Sequence, residues 1–258
     1  MKNKISRQHI DKFLASGLRL DGRKPLEYRD VKIEYDVTST AEGSAKVTLG
    51  ETIVIAGVKL QIEKPYSDTP DQGSLMVSAE LLPLSNPAFE LGPPSINSIE
   101  LARVTDRGIR ESGTIDIKKL CVVPGEKVWM VMVDLMPIND AGNLKDACSL
   151  AAMAALMNAK YPKLEDDKVN YSKMTDVSLP INSKTVSCTV LKIGDHFIVD
   201  PSLEEEKVYD TRLTVGTNED GEICSLQKGG DKGLSKDEIL EIAKIAKDST
   251  SHLRSYLG

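Results

Sequence analysis

Between Leu144 and Met157 the chain runs LKDACSLAAMAALM, with two charges at the start and none afterwards. Ala and Leu favour a helix, and a helix that is apolar all round must be buried on nearly every side. Whatever fold this chain adopts has to surround that helix with other layers. Just before it, Val128 to Met136 is an almost unbroken apolar run containing β-branched residues, the pattern of a strand buried on both faces. Asn139-Asp140-Ala141-Gly142 separates the two as a turn. A strand entering a helix through such a turn aims backbone N–H groups and the positive helix end at one point. Two readings therefore stand, an ordinary core connection and an anion site. Firm phosphate binding there calls for a hydroxyl and an arginine beside the glycine. Asn143, Leu144 and Lys145 occupy those places.

The 258 residues can bury a large core, as one elaborate domain or two of moderate size. Aromatics make up 4% of them, so the core is expected to be aliphatic and filled with methionine. With 28% charged and 40% hydrophobic residues the composition is that of a soluble globular chain. No run approaches the roughly 18 apolar residues of a membrane span, and the first residues lead into no signal-type core. The expected location is the cytoplasm. Cys121, Cys148, Cys188 and Cys224 lie far apart, three in predicted strands and one in the central helix, and they read as buried free thiols. Neither they nor His9, His196 and His252 show ligand spacing, so no metal and no cofactor is assigned. The net charge of −6 argues against a free-standing nucleic-acid binder. Any RNA contact is expected to be local or completed by a partner.

Along the chain, Ser6 is expected to cap a helix that Gly17 ends, and the charged stretch 18–29 reads as a loop. Alternation from Val31 to Val37, a hairpin turning at Gly50-Glu51, and Leu75 to Leu82 predict strands. Residues 83–94, with four prolines, read as irregular. Asn97 and Glu100 form a capping-box pattern for a helix ending near Gly113. On it Arg103, Arg107 and Arg110 fall within about 60° of one another, opposite Leu101, Val104 and Ile109. Three of the nine arginines lie in these eight residues, a clustering that solubility does not require. The cluster is either a solvated face, with Asp106–Arg110 and Arg107–Glu111 pairs, or a phosphate-facing one. Residues 160–172, with Pro162 and the acidic run Glu165-Asp166-Asp167, read as a linker. The expected halves are 1–162, including the helical arm, and 163–258. Further strands, a hairpin turned by Asn218 to Gly221 and a helix opened by the capping box Ser235 to Glu238 complete the second half. Each half reads as strands followed by helix, a duplicated α+β unit.

Several segments carry a family likeness. Leu20-Asp21-Gly22-Arg23-Lys24-Pro25 with Glu27 and Arg29, then Gly43-Ser44-Ala45 through Gly50-Glu51-Thr52 to Ala56-Gly57-Val58, closely resemble the start of the RNase PH superfamily of phosphorolytic exoribonucleases. Asp68 to Gly73, Glu90 to Pro94, and Glu100 to Val104 with Asp106-Arg107 resemble one branch, the non-catalytic RNase PH-like subunit of the archaeal exosome. The resemblance spans nearly the whole chain.

It implies an RNase PH-like α+β fold, with two similar strand–helix halves packed as one unit. Active members bind inorganic phosphate through a Gly, a Thr or Ser, and an Arg in the turn after the central strand. Here Gly142 remains, Asn143 stands at the hydroxyl position and Leu144 at the arginine position, with Lys145 a substitute if the alignment slips by one. The catalytic Asp position falls on Arg212; Asp210 comes two residues early, an offset that moves a carboxylate by roughly 6–7 Å. The resemblance thus implies no catalytic residue in this chain. It implies an alternating hexameric ring with a catalytic RNase PH-like paralogue, RNA-binding cap subunits, and single-stranded RNA near Arg103, Arg107 and Arg110; it implies no membrane. Two alternatives stand beside it: an active phosphorolytic 3′–5′ exoribonuclease using Lys145 and Asp210, and a purely structural scaffold.

Overall fold

The computed structural model describes residues 2–165 and 168–258. Its elements are α1 (Lys2–Ala15), β1 (Val31–Tyr35), β2 (Gly43–Leu49), β3 (Thr52–Glu63), β4 (Ser74–Ala79), α2 (Ile96–Glu111), β5 (Cys121–Val123), β6 (Lys127–Asn139), α3 (Leu144–Asn158), β7 (Lys160–Glu165), β8 (Lys168–Ser178), β9 (Val186–Ile193), β10 (His196–Val199), α4 (Leu203–Glu206), β11 (Thr211–Thr217), β12 (Ile223–Gly229) and α5 (Lys236–Arg254). One sheet has the order β1-β2-β3-β6-β4, with β5 also paired to β6 and β4 the one parallel neighbour. The other, β10-β9-β11-β12, is antiparallel throughout. Four antiparallel strands followed by a helix thus occur twice, as β1-β2-β3-β6 with α3 and β10-β9-β11-β12 with α5. The strand order within the four differs.

The central helix α3 is buried from Asp146 to Leu156 and packs on β2, β3, β6 and β9, so it lies between the two sheets. Its alanines allow this close contact. At Gly43 of β2 an added Cβ would sit 2.5 Å from Ala155 O and from Ala159 Cα. Val47, Val54, Val58, Val131, Val133 and Leu135 face it from the first sheet. Truncating a fully buried side chain here, such as Leu156→Ala, should cost about 2–5 kcal/mol.

Several expectations need correction. The central strand β6 is buried on one face only: Val131, Val133 and Leu135 alternate with half-buried Met130 and Met132 and exposed Asp134 and Met136. Methionine made the open face look like core. The expected linker 160–172 is instead taken up by the hairpin of β7 and β8, paired Lys160↔Ser178 through Glu165↔Lys168; Asp166 and Asp167 of the acidic run lie outside the described residues. The opening helix already includes Lys2, so Ser6 sits inside it rather than capping it; Gly17 does end it, with its N–H on Leu14 O and that of Leu18 on Phe13 O. Ser95, not Asn97, caps α2 by accepting Ser98 N–H at 3.2 Å, because Pro93-Pro94 hold the chain extended up to that point. Glu100 is drawn instead into long-range ion pairs. The Ser235–Glu238 box forms as expected. All four cysteines are free; Cys148 and Cys188 are buried, whereas Cys121 and Cys224 are only half-buried.

Candidate functional site: the turn before α3 and the arginine face of α2

The turn between β6 and α3 is pressed against the segment that follows β10. Gly142 has φ 95°, and a Cβ there would meet Pro201 O at 2.5 Å and Leu203 N at 2.8 Å. Glycine is required by both the angle and the approach. The turn's amides all have acceptors within the chain: Ala141 N–H donates to Thr52 Oγ1 at 3.2 Å, Gly142 N–H to Asp140 Oδ1 at 3.0 Å, and Asn143 N–H to Glu206 Oε1 at 3.0 Å. Two of the three acceptors are carboxylates. At this helix start the Gly142 and Asn143 amides, which could face a phosphate, are taken by the protein's own carboxylates.

Asn143 is buried and left-handed, with φ 60°. Its side-chain amide donates to Asp146 Oδ2 and Asp200 Oδ1, both at 3.0 Å, so it serves a buried carboxylate network rather than an open site. Tyr28 Oη also donates to Asp146 Oδ2, at 2.8 Å. Burial pushes the Asp146 carboxyl up to about 6, against those hydrogen bonds.

Beside the turn lies a cavity of about 250 Å³ whose lining includes Asn97, Glu100, Asp140, Leu144, Lys145, Glu206, Tyr209 and Arg212. Leu144 contributes hydrocarbon where a guanidinium fork would be needed. Lys145 Nζ is 3.4 Å from Glu100 Oε2, and Arg212 donates to Glu100 Oε1, so both cations are already committed. Burial works against ionisation of Glu100, but Lys145 and Arg212 hold its carboxyl below the usual range. Burial and the neighbouring Arg212 pull the Lys145 ammonium down. Glu206 is pushed up by burial, against the Asn143 N–H and Lys145.

Asp210 is not part of this cavity's lining. Arg7 of α1 grips it with two hydrogen bonds, 2.7 and 2.5 Å; Gly194 N–H donates at 2.9 Å, and Lys232 Nζ lies at 2.9 Å. Arg7 foremost holds its carboxyl far below the usual range. The alternative site, with Lys145 for phosphate and Asp210 as general acid, is not assembled: Asp210 faces Arg7 of α1 and Lys145 faces Glu100 of α2.

On α2, Arg103, Arg107 and Arg110 are exposed while Leu101, Val104, Thr105, Gly108 and Ile109 are buried, as the helical spacing requires. Arg110 pairs with Asp106 at 2.7 Å and donates to Leu75 O at 2.9 Å. Among the described residues Arg103 and Arg107 make no ion pair, and the expected Arg107–Glu111 pair is absent. The three arginines line a shallow cleft of about 450 Å³ with Glu100, Asp106, Glu111 and Gln227.

Sequence reasoning singled out the glycine, the asparagine and the arginines, but missed Asp140, Glu206 and Glu100 as the groups that fill and clamp the site. Glu206 lies in an acidic run visible in the sequence, yet nothing local tells that it reaches a helix start 63 residues away. Among the described residues no group of three or more His, Cys, Asp or Glu is placed to hold a metal ion, and no helix is long and apolar enough to cross a membrane.

Residues 27–162 match domain 1 and residues 185–249 match domain 2 of the 3′ exoribonuclease family, RNase PH. The exosome complex component Rrp42 of Methanothermobacter thermautotrophicus is 45% identical over 255 residues, covering 98% of this chain and 94% of that protein. Its counterpart in Archaeoglobus fulgidus is 48% identical over 242 residues, covering 93% and 92%. A chain from the solved Archaeoglobus fulgidus exosome with RNA bound to the active site superposes with a TM-score of 0.93 at 45% identity, over 99% of each chain. Rice Rrp46, at 17% identity and a TM-score of 0.69 over 93% of this chain and 98% of its own, shares the fold.

Proposed function

The chain belongs to the RNase PH family of 3′ exoribonucleases, and from that premise we propose that it is a non-catalytic subunit of an exosome ring. In this reading it contacts RNA and helps shape the active site of a phosphorolytic paralogue, with which it alternates in a ring of six beneath RNA-binding caps. The observation that carries the non-catalytic part is the filled turn: Gly142 and Asn143 N–H are taken by Asp140 and Glu206. Leu144 supplies no guanidinium, so inorganic phosphate finds the Gly142 and Asn143 amides taken and no fork to bind it. Phosphorolysis, the attack of phosphate on the 3′-terminal linkage of RNA, then takes place on the paralogue.

The RNA-contacting part rests on Arg103 and Arg107, exposed and without carboxylate partners among the described residues, on a chain whose net charge is −6. Isolated cations of this kind suit phosphate forks better than they suit solubility. Reconstituting the ring and measuring RNA retention tests the reading. An Arg103→Ala, Arg107→Ala variant should assemble normally and hold single-stranded RNA more weakly; unchanged RNA affinity in an intact ring would leave the chain a scaffold.

A further inference from the structure

We propose that Asp146 is a buried, reversible proton-binding site: the protonated carboxyl donates from Oδ1 to Asn143 Oδ1 and closes a two-bond acid–amide pair at the start of α3. The inference goes beyond the ring assignment and does not depend on it. Its basis is a set of missing partners. Asp146 is 1% exposed, and among the described residues no lysine, arginine or histidine pairs with it. Its two hydrogen bonds, from Tyr28 Oη at 2.8 Å and Asn143 Nδ2 at 3.0 Å, both end on Oδ2. Asp146 Oδ1 has no hydrogen-bond partner, and neither has Asn143 Oδ1. Turning the Asn143 amide over would not help, because its oxygen would then face Asp146 Oδ2 and Asp200 Oδ1, to which its nitrogen now donates. Asn143 makes no side-chain cap to the helix either.

A buried carboxylate with no cation and one bare oxygen is costly. A proton on Oδ1 removes the charge and supplies the donor that Asn143 Oδ1 lacks, so a single proton satisfies both oxygens. The surrounding groups leave Asp146 as the one that titrates. From the 18–29 loop, Arg29 and Arg23 are committed to Asp200, which against its burial is held ionised by Arg29. On α3 itself Lys145 is drawn to Glu100, and burial keeps the Cys148 thiol un-ionised. Burial does the same for Tyr28 and for Cys188 of β9, whose Sγ lies 3.2 Å from Tyr28 Oη. Thr189 of β9 faces the carboxyl as a neutral hydroxyl, and His252 of α5 contacts the Tyr28 ring, centroids 6.4 Å apart. Burial pushes the Asp146 carboxyl up to about 6, above the unfolded value of about 3.9. Its contribution to stability is therefore fully present below the unfolded value and is lost as pH rises through the native one, opposite in sign to that of Asp200. The start of α3, the turn before it and Tyr28 are held together more firmly at about pH 5 than at about pH 7.

The test follows the Asp carboxyl carbons of the full-length chain by NMR as pH is varied, and compares urea unfolding of the wild type and D146N over the same range. D146N presents a permanent N–H in place of the acid O–H and carries no charge. One carboxyl resonance, missing from D146N, should titrate with a midpoint of about 6. The unfolding constant of the wild type relative to D146N should rise roughly fiftyfold from about pH 4 to about pH 7.5. If D146N folds poorly, Y28F identifies the same resonance, because losing a donor to Oδ2 disfavours the carboxylate and moves the midpoint further up. A midpoint in the ordinary carboxylate range overturns the proposal and leaves the two oxygens to a trapped water. So does a ratio between wild type and D146N that stays flat with pH.

Discussion

Arg29 and Asp200 are joined by three hydrogen bonds, Nε to Oδ2 at 2.8 Å, Nη2 to Oδ1 at 2.6 Å and the Arg29 backbone N–H to Oδ2 at 2.8 Å, around a carboxylate that is wholly buried. The same guanidinium donates to Ala141 O at 3.0 Å and Gly142 O at 3.1 Å, and Arg23 adds a further bond to Asp200 at 2.8 Å. One ion pair therefore holds the 18–29 loop, the turn before α3 and the segment after β10 in register. Removing Arg29 leaves the buried Asp200 charge to Arg23 and Asn143 alone, so Arg29→Ala should destabilise the chain by about 3 kcal/mol in urea unfolding.

Asp200 also fixes a pH dependence. Burial opposes its ionisation, but Arg29 holds the carboxyl below the usual range. A depressed native value means that its contribution is fully present above the unfolded value of about 3.9 and is lost as pH falls through the native one. Acid unfolding of the wild type should therefore steepen below about pH 4, and Asp200→Asn, less stable at neutral pH, should lack that part of the slope.

Asp210 is expected to be structural. Arg7 and Lys232 keep it ionised, so it has no proton to give as a general acid. Asp210→Ala should release α1, seen as faster amide exchange in residues 7–14. It should leave RNA degradation by the assembled ring within about twofold of wild type.

The arginine face predicts a salt signature. Removing a single arginine–phosphate interaction should flatten the plot of log affinity against log salt by roughly 0.7 for single-stranded RNA. Arg103→Ala and Arg107→Ala should each show it. Arg110→Ala should show less, because its guanidinium is shared with Asp106 and Leu75 O.

The open face of the first sheet predicts where the ring closes. Met76 lies beside Met132 in the β4–β6 register, and Ile55 beside Met136 in the β3–β6 register; Met76 and Met136 are exposed. A stable interface there should bury more than about 1,000 Å². Met76→Lys with Met136→Lys should leave the monomer folded, since exposed substitutions usually change stability by less than about 0.5 kcal/mol, yet abolish the mixed ring in native mass measurement.

Periodicity and punctuation made most of the fold legible. The buried α3, the hairpin of β2 and β3, the hairpin turned at Asn218 to Gly221 and the arginine face of α2 all follow from spacing that the structure keeps. What escaped depends on interactions across long separations. The charged stretch 18–29 looked like an exposed loop, yet Arg19 is buried and donates to Val199 O and Asp200 O, 180 and 181 residues away. Glu100 fitted a local capping box, but its stronger partners lie at positions 145 and 212. Pro162 and the acidic residues beside it suggested a linker, and cross-strand pairing from Lys160 to Ser178 overrode that local signal. At the turn before α3 the sequence left two readings, an ordinary connection and an anion site; that Glu206 accepts the Asn143 N–H there required the third dimension.

Whether the chain is non-catalytic is decided by incubating it, purified and alone, with labelled RNA and inorganic phosphate and counting the nucleoside diphosphates released. With the turn's amides occupied by Asp140 and Glu206, and Leu144 at the arginine position, release should stay at the level of the no-protein control. Phosphate-dependent release by this chain alone, abolished in Asp210→Ala, would contradict the non-catalytic assignment and make the chain an exoribonuclease in its own right.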